Sequence, residues 1–179
     1  MAICEILTIP DTRLKKISSP VPEVNDGIRE IMQDMQDSLY NANGIGLAAI
    51  QIGVALRIIL IDLEKGKHGE GGNPLFFINP EIVNASEEMA SYREGCLSAP
   101  DLYEDVERPA FCSVRYLDEQ GVAQEMECDE LMATCIQHEM DHLEGIMFID
   151  HLSELKRERL LKKHEKRKQQ KAVADGNII

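Results

Sequence analysis

The sequence contains no long hydrophobic run. Its first residues, MAICEILTIPDTRLKK, have no basic segment that leads into an apolar stretch, and the most apolar window, VALRIILIDL, is interrupted by Arg57 and closed by Asp62. A membrane span needs about 20 consecutive apolar residues, and a secretory signal needs an apolar core behind basic residues. We therefore expect a cytoplasmic protein that is not exported and has no membrane partner.

Paired cysteines are also missing. The five cysteines are odd in number and do not stand at the spacings of a disulfide framework: Cys4, Cys96, Cys112, Cys128 and Cys135. A chain of 179 residues is, moreover, too long to need disulfide staples. We expect a reducing compartment, in which the thiols stay free and are available as metal ligands.

Positive charge is scarce outside one segment. The net charge is −13, yet residues 156–171, KRERLLKKHEKRKQQK, hold nine of the 19 Lys and Arg against two Glu, so this segment carries +7 and the rest −20. An acidic body disfavours nucleic acid, and we expect no specific DNA binding. The basic segment is suited to a polyanion, and a solvated helix face is the alternative that charge alone leaves open.

Neither an internal repeat nor a Gly/Ser-rich or Pro-rich linker divides the chain. Its 179 residues, 44% of them hydrophobic, fit one domain over 1–179, large enough to bury about 70% of the surface that the unfolded chain exposes.

The stretch NDGIREIMQDMQDSLYNANG predicts a helix with five apolar residues on one stripe: Ile28, Ile31, Met32, Met35 and Leu39.

Short β-rich runs follow this helix and lead to two further helices. The runs are LRIILIDL (56–63), PLFFINPEIVN (74–84), EMASYREG (88–95), FCSVRYLD (111–118) and VAQEMEC (122–128), with a loop at 65–74. Asp129 is the predicted N-cap of a helix that ends near Leu143 before Gly145, and a last helix covers about 153–170. This order indicates an α+β fold, with antiparallel or mixed β-sheets around a central helix and a C-terminal helix.

The predicted central helix carries two histidines on one face. Spacings of three and four residues align Leu131, Cys135, His138 and His142, with Glu139 beside them. This is the H-E-x-x-H arrangement, in which two imidazoles bind a divalent metal and the adjacent carboxylate takes a proton from water. A bland polar helix face is the alternative. The apolar residues below the histidines argue against it, because unpaired imidazoles at the edge of a core are costly.

A catalytic metal site needs a third protein ligand from elsewhere in the chain. Cys135 lies one turn before the first histidine, but a thiol there favours core packing. Cys112 and Cys128 follow strand-like alternation, and Cys4 is near a terminus. Cys96 lies in REGCLSAP, a turn preceded by Gly and ended by Pro, from which a thiolate can be aimed at a metal. Spacing favours Cys96 without deciding the choice.

A third stretch, NGIGLAAIQIG, brackets small residues and the amide of Gln51 between glycines. A phosphate cradle is disfavoured, because neither a Walker lysine nor a strand-then-helix context accompanies it. Such glycines also let another backbone approach closely, as when an extended peptide adds to a strand, and Gln51 then supplies a donor. A tight turn with a surface Gln is the alternative.

Three of these stretches together resemble the signature motifs of the peptide deformylase family. They are GIGLAAIQ (44–51), EGCLS (94–98) and HEMDH (138–142), in the family's order and with similar intervals. The resemblance covers about residues 5–155, which we expect to form the catalytic body, with the basic helix at about 153–171.

The resemblance implies a metal site of three residues, Cys96, His138 and His142, that binds one divalent ion per chain. Fe(II) is the ion expected in the cell from the family, with Ni or Co as active substitutes. The Cys-His-His set by itself suits Zn. Neither the composition nor the spacing of the sequence decides between these ions.

The resemblance also implies a reaction, the removal of the formyl group from N-formylmethionyl nascent peptides with release of formate. Glu139 would accept a proton from the attacking, metal-bound water and later deliver one to the leaving amine. The oxyanion would be held by the Gln51 side-chain amide and the Leu97 backbone N–H, together with the metal. The substrate backbone is expected to pair at Ile45 and Gly46.

Further residues are expected to support the site. The Met side chain of the substrate is expected in an apolar pocket to which three residues contribute: Leu131, Cys135 and Tyr92. We also expect Glu94, paired with Arg108, to steady the Cys96 loop.

The basic helix gains a specific partner from the resemblance. In bacterial relatives a C-terminal helix contacts the ribosome near the tunnel exit, so residues 153–171 are expected to dock on ribosomal RNA or protein.

Two rival functions remain open. One is a metallopeptidase, which a cysteine ligand and GIGLAAIQ disfavour, and the other is a peptide-binding or ribosome-associated module with a structural metal, which has no need of Glu139.

Overall fold

The computed structural model describes residues 3–64 and 72–174, so most of the predicted loop at 65–74 lies outside the described residues. The helices and strands are α1 Asp26–Asn41, β1 Gly46–Ala48, β2 Ile58–Ile61, β3 Leu75–Ala85, β4 Met89–Cys96, β5 Ala99–Pro109, β6 Phe111–Leu117, β7 Ala123–Asp129, α2 Glu130–Leu143 and α3 Glu154–Ala174. Short 3-10 turns cover Thr12–Lys15, Ala49–Ile52 and Phe148–His151.

Two antiparallel sheets surround helix α2. Five strands form one sheet in the order β1-β2-β3-β6-β7, and β4 pairs with β5 in a separate sheet. Helix α2 contacts strands of both sheets. The predicted α+β fold, with antiparallel sheets around a central helix and a C-terminal helix, is therefore confirmed.

Strand β2, with the sequence IILI, is apolar at every position because both of its faces are covered. All four residues are buried. Ile59 and Ile61 pack in the cluster that includes Ile136 of α2. Ile58 and Leu60 point the other way, into the cluster that includes the predicted apolar stripe of α1. Since successive side chains of a strand face opposite sides of the sheet, a strand covered by helices on both sides has no polar face.

Two strands, β1 and β5, were not among the predicted β-rich runs. In β5 the alternation is present, but the inward positions combine Leu102 and Val106 with Glu104 and Arg108, so no apolar stripe marks the strand. The left-handed backbone of Asp101, with φ at 64°, also shifts the phase of the alternation near the start of the strand. Strand β1 is only three residues long.

Both ends of α2 fall where the sequence places them. Asp129 occupies the N-cap position, although its side chain makes no capping hydrogen bond. Gly145 follows the helix with φ at +70°, and the carbonyl oxygen of Lys15 lies 2.5 Å from where a Cβ on Gly145 would be. Only glycine fits both the left-handed conformation and this backbone contact. The residue thus fixes the end of the helix that carries the histidines.

Helix α3 begins against the body of the protein and continues as a basic helix. Leu160 and Leu161 pack beside a cluster that includes Phe148, and Lys156 pairs with Glu104 of β5 at 3.6 Å. Across residues 3–64 and 72–174, no helix combines the length and the apolar character that a membrane crossing requires. The helix is attached to the body between residues 156 and 167, since Arg167 also donates to the Asp101 carbonyl.

Candidate active site

A cavity of about 480 Å³ opens between β1, the β4–β5 sheet and α2. Of the residues predicted from the sequence, the structure brings eleven to its walls: Ile45, Gly46, Gln51, Tyr92, Glu94, Cys96, Leu97, Leu131, Cys135, His138 and Glu139. His142 and Arg108 lie just behind the wall, in contact with Cys96 and Glu94 respectively. Three segments that are distant in the sequence thus form one site.

Cys96 and the two histidines converge at the inner end of this cavity. Their possible ligand atoms all lie within 4.8 Å of one another, and the Cys96 Sγ is 3.2 Å from the His142 Nε2. Strand β4 supplies the thiol from its last residue, and α2 supplies the imidazoles from one face. Within the described ranges, this is the one group of three or more metal-binding side chains.

The other cysteines lie away from this group. Cys112 and Cys128 face each other across β6 and β7 in the core. Cys135 belongs to the cavity wall, and burial raises the pKa of its thiol to about 12, so the side chain behaves as an apolar group. Cys4 is half-buried and its backbone N–H donates to Ser38.

Glu94 joins β4 to α2 and to β5 through three buried hydrogen bonds, one with His138 and two with Arg108. Its Oε2 accepts from the His138 Nδ1 at 2.7 Å, and its Oε1 accepts from the Arg108 Nε at 2.6 Å. Burial by itself would raise the pKa of Glu94, but the hydrogen bonds from His138 and Arg108 outweigh it and lower the pKa to about 2. A carboxylate on Nδ1 fixes the tautomer of His138, which leaves Nε2 as the lone-pair atom.

The same network extends outward to a residue that the sequence patterns did not single out. Asp141 accepts from the Arg108 Nη1 at 2.8 Å, and its Oδ2 lies 2.7 Å from the Nε2 of His151. Asp141 is inside the HEMDH motif, but its role depends on an arginine 33 residues away. Sequence spacing along α2 does not reveal such a partner.

Gln51 is held with its amide nitrogen toward the metal-binding group. Its Oε1 accepts from the Ala48 N–H at 2.8 Å, and its Nε2 donates to the Ser98 Oγ at 3.0 Å and lies 3.5 Å from the Cys96 Sγ. Because the Ala48 N–H can only donate, the Gln51 atom that faces it must be the amide oxygen, and this defines the orientation of the amide. Gln51 is 1% exposed, which rules out the surface-Gln alternative. Ser98 lies within EGCLS and was not predicted.

Glu139 is fully buried beside the imidazoles. Desolvation raises the pKa of its carboxyl group to about 7, against the opposing charge of His138. Its Oε2 is buried with no hydrogen-bond partner among the described residues. A Cβ on Gly46 would collide with the Glu139 carboxylate. Glycine at this position therefore lets strand β1 pass directly over the acid.

Strand β1 forms the edge of its sheet beside the cavity. It pairs with β2 through Gly46 and its neighbours, and the Ile45 carbonyl accepts from the Asp62 N–H at 2.8 Å. No second strand pairs with β1 in the described part of the chain. An edge strand presents backbone donors and acceptors on its outer side, so it is able to pair with an extended peptide.

The outer wall differs from the prediction at one residue. Leu131 lines the cavity but is 40% exposed, so it lies at the rim and not in an apolar stripe buried below the histidines. It is in the first turn of α2, where the helix reaches the protein surface. Cys135, one turn closer to the histidines, is buried.

These donors fit a divalent metal ion. A thiolate and two imidazoles are ligands that Zn and the later first-row metals accept. Burial lowers the pKa of His142 well below its ordinary value, so this ring is neutral, as a ligand must be. Burial also acts to lower the pKa of His138, but hydrogen bonds with Cys96 and Glu94 outweigh it and raise that pKa, so this second ring releases a proton when a metal binds. The unpartnered Oε2 of Glu139 lies beside the group, where a water or substrate atom would complete its hydrogen bonding. The arrangement therefore combines a Lewis-acid position with a base.

Comparison with known proteins gives the same assignment along almost the whole chain. Residues 3–158 match the family model described as polypeptide deformylase. The chain is 53% identical to the peptide deformylase of Rhizorhabdus wittichii, over 97% of this chain and 100% of that protein, and 55% identical to that of Phenylobacterium zucineum, over 93% and 97%. The crystal structure of a peptide deformylase from Legionella pneumophila superposes with a TM-score of 0.88 at 41% identity, covering 96% of this chain and 98% of that one. The chain belongs to the peptide deformylase family.

Proposed function

We propose a residue-level mechanism for this chain, a hydrolase of the family that removes the N-formyl group from N-formylmethionyl peptides. The observation that carries it is the convergence of three metal-binding side chains beside a buried carboxylate without a hydrogen-bond partner. Cys96, His138 and His142 hold one divalent ion, Fe(II) in the cell and Zn, Ni or Co in protein as purified. Such an ion supplies a Lewis acid that polarises the formyl carbonyl and lowers the pKa of water.

Glu139 moves the proton in this scheme. Its buried carboxylate accepts a proton from the attacking water and then gives it to the amine that leaves when the C–N bond breaks. Because its pKa is raised to about 7, the group exchanges a proton readily near neutral pH. The products are formate and a peptide with a free amino terminus.

When water adds to the formyl carbon, negative charge forms on the former carbonyl oxygen, and this oxyanion is held by the Nε2 of Gln51 and the backbone N–H of Leu97. Ser98 and the Ala48 N–H hold the Gln51 amide before substrate arrives, so orienting it costs nothing during the reaction. The peptide backbone pairs with the open edge of β1 at Ile45 and Gly46.

The methionine side chain of the substrate occupies the apolar part of the cavity, lined by Leu131, Cys135 and Tyr92. The catalytic body covers about 5–155 of a single domain, and the protein acts in the cytoplasm, where nascent formylated chains are made. The basic helix at about 153–171 docks the enzyme on the ribosome near the tunnel exit, through contacts between cationic side chains and phosphate.

The Glu139→Gln variant tests the proton transfer. The amide keeps the size of the side chain but cannot accept a proton, so formate release from a formyl-Met tripeptide should fall at least about 100-fold with an unchanged metal content. The assay uses protein purified without oxygen, with Glu119→Gln in an exposed turn as control. Full activity in Glu139→Gln would contradict the mechanism, and cleavage of an unformylated peptide would favour a metallopeptidase.

The Glu94→Ala variant tests the support of the metal site. Loss of the carboxylate leaves Arg108 with one half-buried partner, Asp141, and frees the His138 ring, so metal affinity should fall about 10- to 100-fold and the free energy of unfolding by about 3 kcal/mol. Chelator competition and denaturant unfolding measure the two effects. Glu125→Ala, which breaks the exposed pair with Arg115, is the matched control and should cost less than about 1 kcal/mol. Unchanged metal affinity in Glu94→Ala would contradict this role.

Charge reversal on α3 tests ribosome docking. Truncation after Leu155 would also remove Leu160 and Leu161, which pack on the body, so substitutions of the exposed cations are cleaner. The triple variant Arg159→Glu, Lys162→Glu, Lys166→Glu should cosediment with ribosomes at least about tenfold more weakly at low salt, with normal activity on the tripeptide. Equal cosedimentation of the variant and the parent protein would rule out docking through this helix.

A further inference from the structure

A smaller cavity of about 240 Å³ adjoins the active-site cavity, and we propose that it is a subsite for an acidic side chain at the third or fourth residue of the formylated peptide. Its walls are Arg93, Asp101 and Tyr103 from the β4–β5 sheet and Leu160, Lys163 and Arg167 from α3. The first three also line the active-site cavity, so the two spaces share a rim. The inference rests on the proposed function.

The charge of this subsite is unusual for the molecule. Lys163 and Arg167 belong to the basic segment 156–171, and Arg93 adds a cation from the rest of the chain, which carries −20. Asp101 is the one carboxylate among the lining residues. Arg93 and Lys163 have no ion-pair partner within 4 Å in the described part of the chain. Arg167 donates from its Nη1 to the Asp101 carbonyl at 3.0 Å, which holds its guanidinium at the cavity. The lining therefore has more positive than negative charge, and a carboxylate of the ligand would balance the excess.

The distance from the metal-binding group matches a short length of peptide. Arg93 precedes Cys96 by three residues on β4, a separation of about 10 Å along a strand. An extended peptide advances about 3.3–3.6 Å per residue. The cavity lies between the edge of β1 and β4. A substrate that pairs with the β1 edge and has its formyl group at Cys96 therefore passes Arg93 on the facing strand at about its third residue, with the cations of α3 next to it.

The lining residues suit an acidic side chain of the formylated peptide that occupies the active site. The Tyr103 ring packs over Gly95, where a Cβ would be 2.5 Å from the ring carbon Cε1, and Tyr103 is 57% exposed at the rim. Tyr103 and Leu160 give the subsite apolar sides, which suit the methylene groups of Glu or Asp below the charge. Since the rim is shared, the occupant is the chain that already occupies the active site.

The test compares three formylated tetrapeptide amides, formyl-Met-Ala-X-X-NH2, in which X is Ala, Glu or Lys. The C-terminal amide removes the terminal carboxylate, so that charge varies only at X. The parent protein should show a kcat/KM for the Glu peptide about five- to tenfold above that for the Lys peptide at low salt, carried by KM, and the ratio should approach one at high salt.

Variants assign the preference to this cavity. Arg93→Gln and Lys163→Gln should each reduce the Glu-to-Lys ratio by about two- to threefold. Lys162→Gln, one residue along α3 and paired with Glu158, should keep the parent ratio. Equal kcat/KM for the Glu and Lys peptides in the parent, or a ratio unchanged in both variants, would overturn the subsite alone. Absence of formate from the Ala peptide would overturn the proposed function and the subsite with it.

Discussion

The buried hydrogen bonds of Glu94 tie the two-stranded sheet to the central helix. The carboxylate sits on β4, receives Arg108 from β5, and holds His138 on α2. A buried ionic group is stable only when its partners are in place, and removal of one partner costs about 3–5 kcal/mol. The arrangement that satisfies Glu94 therefore also aligns the end of β4, and Cys96 with it, with the histidines.

The environment of Glu139 depends on a second constraint, the close passage of β1. Gly46 leaves space for the Glu139 carboxylate, and the strand excludes water from that side. The resulting desolvation raises the pKa of Glu139 to about 7. The same strand offers its open edge to a peptide. One glycine thus links the strand edge at which we propose that the substrate pairs to the basicity of Glu139.

The sequence predicts the site best where its geometry is local. Spacing along one helix is enough to place His138 and His142 together, and the ends of α2 follow from cap residues. The choice of Cys96 among five cysteines needed the family resemblance, because a hairpin end and a helix 42 residues away meet only in the folded chain. Strand β5 was not predicted because two charged residues occupy inward positions: Arg108 pairs with Glu94, and Glu104 pairs with Lys156 of α3.

The central claim is that Cys96, His138 and His142 hold the metal of a deformylase site. X-ray absorption at the edge of the bound metal, in protein purified without oxygen, tests it most directly. We expect one sulfur and two imidazole nitrogens from the protein, with the sulfur lost in Cys96→Ser and retained in Cys135→Ser. A metal without sulfur in the parent protein, or sulfur that persists in Cys96→Ser, would contradict the account.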